Sequence, residues 1–237
     1  MVQTKNKSSR VREGRIELIT EHEGNDLTFI YPVHGPNTYA NVQSSIESAG
    51  LATPTMAETA SLVHSAFNSD DKYRKEIKQL MKDRWLWAFT GTLYVPNKGA
   101  YVQDYPEIRK GIPLMDESDL VKKLEANDPN VRFVPFGFAI NEMSAIQLAQ
   151  NPYLIAIAGK EGAQKIAEVA DKHRNKPFLY SFKSVDQPLI RVSALVSYWD
   201  FVGSRLWVNG ISRGDGGNCY AFGVRKDDTG EASRAQK

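Results

Sequence analysis

The segment from Trp85 to Val95 constrains the fold of this chain more than any other stretch. It carries no charged residue and is rich in the aromatic and branched types that favour strands. Gly91 interrupts the run where a bulge would bend the strand. The pattern predicts a central strand with a bulge at Gly91. Partner strands are predicted at 17–20, 27–31, 131–139, 177–182, 190–195 and 220–225.

Helical periodicity alternates with these strand patterns. Thr55 and Glu58 have the spacing of a capping box, which predicts the start of a helix. The stretch 202–219 has weak periodicity and five glycines, so it is predicted to be a loop. The mixture predicts an α+β fold with a loop-rich C-terminal region. Further helices are predicted at 37–48, 71–83, 116–127, 144–150 and 162–173.

Length and charge indicate one ordinary globular domain. The 237 residues have a net charge of +2, so no basic surface for nucleic acid is expected. The polar N-terminus lacks the apolar segment of a signal peptide, and no apolar run is long enough to span a bilayer. We therefore expect no direct membrane insertion, and a cytoplasmic location unless a carrier displays the protein. Residues 1–15 and 227–237 are predicted to be disordered tails around a domain at 16–226.

No motif in the chain points to catalysis, a metal or a cofactor. The four histidines are spread along the sequence without the spacing of metal ligands. Cys219 is the one cysteine, so an internal disulfide is excluded, and no histidine is near it in sequence. The glycine-rich stretch 214–217 lacks the Lys-Ser/Thr of a phosphate-binding loop. We expect no enzymatic activity, no catalytic residue, no bound metal and no cofactor.

Four residue types disappear between Gln187 and Lys226. Lys, Glu, Gln and Met supply 45 of the 237 residues, yet none occurs from Pro188 to Arg225. Trp, Tyr, Arg, Asn, Ser and Gly all remain, so this is not simply a buried apolar run. These types supply contact area and adaptable hydrogen bonds in binding surfaces. The segment is therefore predicted to hold a recognition surface.

Two local patterns resemble the C-type lectin fold, in the branch that includes formylglycine-generating-type domains. Tyr31-Pro32-Val33, the helix at 37–48 and the sequence GLATPTMAE at 50–58 resemble that branch's helix and its Leu-Pro-Thr-x-x-Glu element. The sequence AFGVR at 221–225 resembles its closing Gly-Phe-Arg strand. Ala52-Thr53 stands where Arg-Leu is usual, and the order of Phe and Gly is inverted.

The C-terminal segment carries a more specific resemblance. The sequence RVSAL at 191–195, Trp199-Asp200-Phe201 and the sequence YAFGV at 220–224 resemble the archaeal variable proteins of diversity-generating retroelements. In that family a reverse transcriptase copies a template with errors at adenines. Asn codons in such a template cannot become codons for Lys, Glu, Gln, Met or Trp. The resemblance implies a variable region at about 190–225, with Trp199 and Trp207 as invariant framework.

This resemblance also implies a function and a site. The protein would be a hypervariable ligand-binding protein whose solvent-exposed C-terminal surface recognises a macromolecular partner, which we expect to be a protein. The expected invariant core includes Trp85, Trp87, Phe89, Phe133, Phe136, Phe138 and Trp199. The ligand-binding face would consist of Val196, Tyr198, Val202, Gly203, Ser204, Arg205, Asn209, Ile211, Ser212, Arg213, Gly214, Asp215, Gly217 and Asn218.

Two other functions share the lectin-like fold and stay open as alternatives. A formylglycine-generating-type oxidoreductase relies, in its oxidase form, on paired cysteines, whereas this chain has Cys219 alone. A calcium-dependent sugar-binding lectin uses a Glu-Pro-Asn or Gln-Pro-Asp triplet with a nearby Trp-Asn-Asp. Here Asp186-Gln187-Pro188 has a different order, and Trp199-Asp200 lacks the Asn.

Overall fold

A computed structural model describes residues 9–12, 14–109, 111–200 and 203–225. The α+β class predicted from the sequence is confirmed. The helices are α1 (Tyr39–Ser48), α2 (Met56–Phe67), α3 (Lys72–Leu80), α4 (Glu117–Glu125), α5 (Ala145–Ala149) and α6 (Pro152–Ala170). The strands are β1 (Ser9–Arg12), β2 (Arg15–His22), β3 (Asn25–Asn37), β4 (Trp85–Val95), β5 (Gly99–Asp104), β6 (Ile108–Arg109), β7 (Ile112–Pro113), β8 (Val131–Pro135), β9 (Asn141–Glu142), β10 (Phe178–Tyr180), β11 (Leu189–Asp200), β12 (Gly203–Ser212) and β13 (Cys219–Val224).

Eleven of these strands form one mixed sheet. Its main order is β1-β2-β3-β13-β4-β11-β12-β10-β9, with β5 paired to β4 and β8 paired to β5. The pairs β10–β12 and β13–β4 are parallel, and the other pairs of this sheet are antiparallel. Strands β6 and β7 form a separate antiparallel pair. The closing strand β13 thus lies in the middle of the sheet, between β3 and β4.

Strand β4 is the central strand that the sequence predicts. It pairs with β11 along one edge, and with β13 and then β5 along the other. Its register against β11 slips where Val192 faces Gly91 and Ser193 faces Ala88. The bulge at Gly91 is therefore confirmed.

Helices α2, α5 and α6 cover one face of the sheet and enclose the largest core. A hydrogen-bonded polar group lies within it, because the Tyr94 hydroxyl is 2.7 Å from the Tyr153 hydroxyl and 2.9 Å from the Ser181 hydroxyl. The Tyr94 hydroxyl also lies 2.9 Å from the carbonyl oxygen of Gly210 in β12. Burial raises the pKa of both tyrosines, so both stay protonated at neutral pH. These bonds tie β4, α6 and β12 together.

Helix α1 covers part of the opposite face. Its Tyr39 packs edge to face on Trp87, with ring centroids 5.6 Å apart, and against Phe89 at 4.6 Å. Val42 and Ile46 complete the contact and are fully buried. Helix α4 buries Leu120 in a third cluster near the end of β4 and β5. The part of β11 beyond Ala194, together with its neighbours β12 and β10, has no helix on this face among the described residues.

Several local expectations are confirmed. The hairpin predicted across Gly24 is β2–β3, with Leu18 opposite Phe29. The predicted capping box is present at the start of α2, where the Glu58 amide donates to Thr55 Oγ1 and the Thr55 amide donates to Glu58 Oε2. The helix predicted at 162–173 corresponds to the second part of α6, which ends at Ala170. Gly159 (φ 69°, ψ 170°) separates it from a first part that is capped by Asn151.

Other expectations about the framework are wrong. Residues 9–12 form β1 rather than part of a tail, because they pair with β2. The loop predicted at 202–219 contains the ten-residue strand β12, whose alternation was hidden by glycine and small polar residues. Phe133 and Trp199 are 40% and 50% exposed, so neither is a core residue. The remaining tail predictions, 1–8 and 227–237, lie outside the described residues. No helix in the described ranges is long and apolar enough to cross a membrane.

Candidate binding surface

The hairpin formed by β11 and β12 carries most of the candidate residues. Its antiparallel register places Val196 opposite Trp207 and Tyr198 opposite Arg205. Because successive side chains of a strand point to opposite faces, one set points towards α2 and α6 and the other points away. We call the first set the inner face. The outer face comprises the second set and its neighbours on β4 and β10: Val196, Tyr198, Arg205, Trp207, Asn209, Trp85, Phe178 and Tyr180.

The inner face anchors the hairpin. Leu195, Leu206 and Val208 are 0% exposed and belong to the core shared with α2 and α6. Ser204 is also buried, because its Oγ accepts a hydrogen bond from the Arg174 amide at 3.1 Å. The backbone of the hairpin is therefore held by contacts that do not involve the outer face.

Aromatic rings dominate the outer face, with Trp207 at their centre. Tyr198 stacks on Trp207 with ring centroids 5.0 Å apart and an interplanar angle of 24°. Tyr180 meets Trp207 edge to face at 5.6 Å, and Trp85 lies 6.2 Å away. Phe178 packs on Tyr180 at 4.4 Å. These rings form a rigid apolar patch, and Tyr198 is 38% exposed at its surface.

The indole nitrogen of Trp207 is buried and has no hydrogen-bond partner among the described residues. A buried N–H without a partner costs about 1–3 kcal/mol, so the packing of the rings must offset this cost. Trp207 is therefore held by its aromatic neighbours rather than by a polar bond.

Polar groups border the aromatic patch. The Arg205 guanidinium lies 2.8 Å from a carboxylate oxygen of Glu142 in β9. Burial raises the pKa of Tyr180, and the positive charge of Arg205 partly offsets this effect. Asn209 Oδ1 accepts a hydrogen bond from the Ile211 amide at 2.8 Å. The border thus combines both signs of charge with an amide group.

The loop 213–218 continues this surface towards α1. Its Gly214 is buried, and the Gly214 carbonyl accepts a hydrogen bond from the Tyr39 amide at 2.9 Å. Burial and the neighbouring charge of Arg213 lower the pKa of Arg191, whereas Asp215 raises it, so these three side chains share one electrostatic environment. The loop is therefore fixed at Gly214 and exposed on either side of it.

The structure divides the predicted ligand-binding residues into three groups. Val196, Ser204 and Gly214 are buried, so their expected solvent exposure is wrong. Val196 lies opposite Trp207 in the hairpin, Ser204 is hydrogen-bonded to the backbone of Arg174 and Asn175, and Gly214 is hydrogen-bonded to Tyr39 of α1. Val202 lies outside the described residues. The exposed or half-buried group contains Tyr198, Gly203, Arg205, Asn209, Ile211, Ser212, Arg213, Asp215, Gly217 and Asn218.

Sequence reasoning missed the neighbours that other strands bring to this surface. Phe178, Tyr180, Trp85 and Glu142 lie outside the segment with the filtered composition, yet all contact it. Phe178 and Tyr180 are half-buried and flank the buried Leu179. This alternation is typical of a strand with one face in the core and the other nearer the solvent. Their proximity to Trp207 depends on the parallel β10–β12 pairing, which no local pattern encodes.

Neither the single thiol nor the acidic groups of the described residues provide an obvious reactive centre. Cys219 is 6% exposed, and burial raises its pKa to about 11. Little thiolate therefore exists at neutral pH, so this sulfur is a poor nucleophile. Within the described parts of the chain, no three His, Cys, Asp or Glu side chains are grouped closely enough to hold a metal ion.

No protein-family model, curated protein or solved structure matches this chain.

Proposed function

We propose that this chain is a hypervariable ligand-binding protein diversified by a retroelement, with a C-type lectin-like fold. Its outer face and the loop 213–218 bind a macromolecular partner, which we take to be a protein. One observation carries the proposal. Tyr198, Arg205, Asn209 and the exposed residues of the loop 213–218 lie on the outer face and its continuation, while alternate residues such as Leu195, Leu206 and Val208 are buried in the core; Trp199 is the exposed residue of the hairpin that lies on the other side.

Contact between the two segments that resemble lectin-like domains supports the proposed fold. The Ala52 amide donates to the Val224 carbonyl at 2.8 Å, and the Val224 amide donates to the Ala52 carbonyl at 2.8 Å. The element around Pro54 therefore lies directly beside the closing strand. Two motifs that are far apart in sequence occupy one small region of a single domain.

The chemistry of the surface suits recognition of a protein. Trp, Tyr and Arg contribute a large share of binding energy at protein interfaces, and Trp207, Tyr198 and Arg205 are adjacent here. The stacked rings lose little conformational freedom on binding, because packing already fixes them. Arg205 and Glu142 supply both signs of charge at the rim, which favours a mixed polar partner over a polyanion.

Diversification also requires that the fold tolerate change at the site. Exposed substitutions usually alter stability by less than about 0.5 kcal/mol. Arg213, Asp215, Gly217 and Asn218 are all exposed. These positions can therefore change identity while the inner face preserves the hairpin.

Sequencing the DNA around the coding region tests the proposed origin of the diversity. We expect a near-duplicate of the segment encoding residues 190–225, with differences confined to adenines of the duplicate, and a reverse-transcriptase gene nearby. Absence of both the duplicate and the reverse transcriptase would contradict the proposal.

A displayed library tests the binding role independently of the DNA. Codons for Tyr198, Arg205, Asn209 and Arg213 would be replaced by adenine-mutated Asn codons, and the library would be selected against a panel of unrelated folded proteins. We expect binders from this library. A matched library at the exposed positions Lys122, Glu125, Lys160 and Lys176 serves as the control. Equal recovery of binders from both libraries would remove the special role of the outer face.

A further inference from the structure

A concave site lies on the other side of the hairpin from the outer face. It is a groove of about 280 Å³ between the end of α2, the exposed side of α3 and the end of β11. This volume is close to the lower end of the range for small-molecule sites, so it suits a molecule with one or two rings. The groove is lined by Phe67, Lys75, Lys78, Gln79, Lys82 and Trp199.

Trp199 forms a fixed wall of this groove. Its indole N–H donates to Ser197 Oγ at 3.1 Å, and its backbone amide donates to the Lys82 carbonyl at 3.2 Å. Ser197 Oγ lies 2.7 Å from His173 Nε2, and His173 Nδ1 lies 2.9 Å from the Val169 carbonyl. A carbonyl can only accept, so Nδ1 carries the proton and Nε2 accepts the hydroxyl proton of Ser197. This chain of hydrogen bonds holds a ring that is 50% exposed.

The opposite wall of the groove is positively charged. Lys75, Lys78 and Gln79 are three and four residues apart, so they share one face of α3, and Lys82 follows just beyond its end. The Lys82 ammonium group lies 5.0 Å from the centre of the Trp199 ring. Lys75 has a carboxylate neighbour at 3.6 Å, but this neighbour, Asp70, has a 96% exposed side chain. None of the residues lining the groove is acidic.

The two walls select for two chemical features in one ligand. A flat ring can pack on Trp199 and Phe67, because both present aromatic surface to the groove. A negative group attached to that ring can approach Lys78 and Lys82. The Lys78 ammonium donates to the Ser69 carbonyl at 3.1 Å and the Lys82 ammonium lies over the Trp199 ring, so each has a polar or aromatic neighbour rather than a carboxylate among the described residues. A neutral ring would bring no counter-charge to Lys78 and Lys82, and a small inorganic anion would leave the aromatic wall uncovered.

We propose that this groove is a binding site for a small aromatic anion, with the ring on Trp199 and Phe67 and the carboxylate or phosphate between Lys78 and Lys82. The site is independent of the outer face, because Trp199 points to the opposite side of β11 from Tyr198. It therefore stands whether or not the outer face is hypervariable.

Fluorescence titration with anilinonaphthalene sulfonate tests the site, because this dye joins aromatic rings to one negative group. The uncharged dye phenylnaphthylamine provides the same rings without the charge. We expect the sulfonated dye to bind about tenfold more tightly than the neutral dye, as a charge-assisted contact would give. The double variant Lys78→Gln/Lys82→Gln should lose this preference. The variant Lys160→Gln/Lys176→Gln, which removes the same charge elsewhere on the surface, should keep it.

Competition identifies the source of the anion. Adenosine monophosphate and indole acetate would each be titrated against the bound dye, with adenosine and inorganic phosphate as controls that carry one feature each. Displacement by either aromatic acid, but by neither control, supports the site and distinguishes a phosphate from a carboxylate. Failure of both acids, equal binding of the two dyes, or unchanged dye affinity in the Lys78→Gln/Lys82→Gln variant would overturn it. Melting curves of every variant confirm that the fold is intact.

Discussion

The inner and outer faces of the β11–β12 hairpin differ although the same two strands build them. On the inner face Leu206 is 0% exposed and belongs to the main core. On the outer face Tyr198 is 38% exposed, and its principal aromatic contact is another residue of the hairpin. One face therefore supplies stability, and the other is available for recognition.

This difference explains why the unusual composition alone cannot locate the site. Inner-face positions lack Lys, Glu and Gln because charged or long polar side chains are costly to bury. The exposed and half-buried outer-face positions, such as Tyr198 and Arg205, have no such restriction. The absence of these types there needs another cause, which the proposed adenine-directed diversification supplies. The segment that lacks these residue types therefore contains both inner-face and outer-face positions, and only the strand geometry distinguishes them.

The largest expected difference between the faces comes from truncating a core leucine. Leu206→Ala should lower the free energy of unfolding by about 2–5 kcal/mol, because it leaves a cavity among residues of α6 and β11. Arg213→Ala, on the exposed loop, should change it by less than about 0.5 kcal/mol. Urea denaturation of both variants measures the contrast. Similar losses from the two substitutions would contradict the division of the hairpin.

Gly210 in β12 and Gly217 in the loop 213–218 allow a matched test of packing, because an alanine substitution adds the same methyl group at each. A Cβ at Gly210 would clash with the Tyr153 hydroxyl, whereas a Cβ at Gly217 would meet nothing within 4 Å. Gly210→Ala should therefore cost about 1–3 kcal/mol by overpacking the Tyr94–Tyr153 group. Gly217→Ala should have little effect. Thermal denaturation compares the two, and an equal shift in Tm would show that the inner side at Gly210 is not tightly packed.

Trp199 tests the comparison of the two faces further. The sequence predicts that it belongs to the core, whereas the structure shows that it is 50% exposed. Trp199→Ala should lower the free energy of unfolding by about 1–2 kcal/mol, less than the 3–5 kcal/mol typical of a fully buried tryptophan. Chemical denaturation measures the loss, with Trp199→Phe as the milder control. A loss in the fully buried range would restore Trp199 to the core.

The smallest expected effect is the pH dependence of folding stability that His173 contributes beneath the inner face. Burial lowers the pKa of His173 below its usual value of 6.5. The unfolded chain therefore takes up a proton more readily, and the stabilising contribution of neutral His173 is lost as the pH falls below 6.5. Stability measured at neutral and mildly acidic pH should decline less steeply in His173→Gln than in the wild type. An identical slope would mean that His173 does not titrate with folding.

Local patterns predicted much of the scaffold but little of the surface. Trp85–Val95, the Thr55–Glu58 capping box and the bulge at Gly91 follow from periodicity and short-range hydrogen bonding. Strand β12 was not predicted, because Gly203 and Gly210 interrupt the alternation of apolar and polar residues. Its two faces are distinguished only by the alternating burial of its residues in the structure. The position of Tyr180 against Trp207 depends on a parallel pairing of distant strands. Long-range register, rather than residue preference, decides which side chains meet at the site.

Sequencing the segment encoding residues 190–225 from many natural copies tests the central claim most directly. The structure predicts that differences alternate along β12: they should occur at Arg205, Asn209 and Ile211, while Ser204, Leu206, Val208 and Gly210 stay constant. Trp199 and Trp207 should also be constant, and the exposed loop residues Arg213, Asp215, Gly217 and Asn218 should vary. Variation spread equally over inner and outer positions, or a segment that is identical in every copy, would contradict a hypervariable outer face.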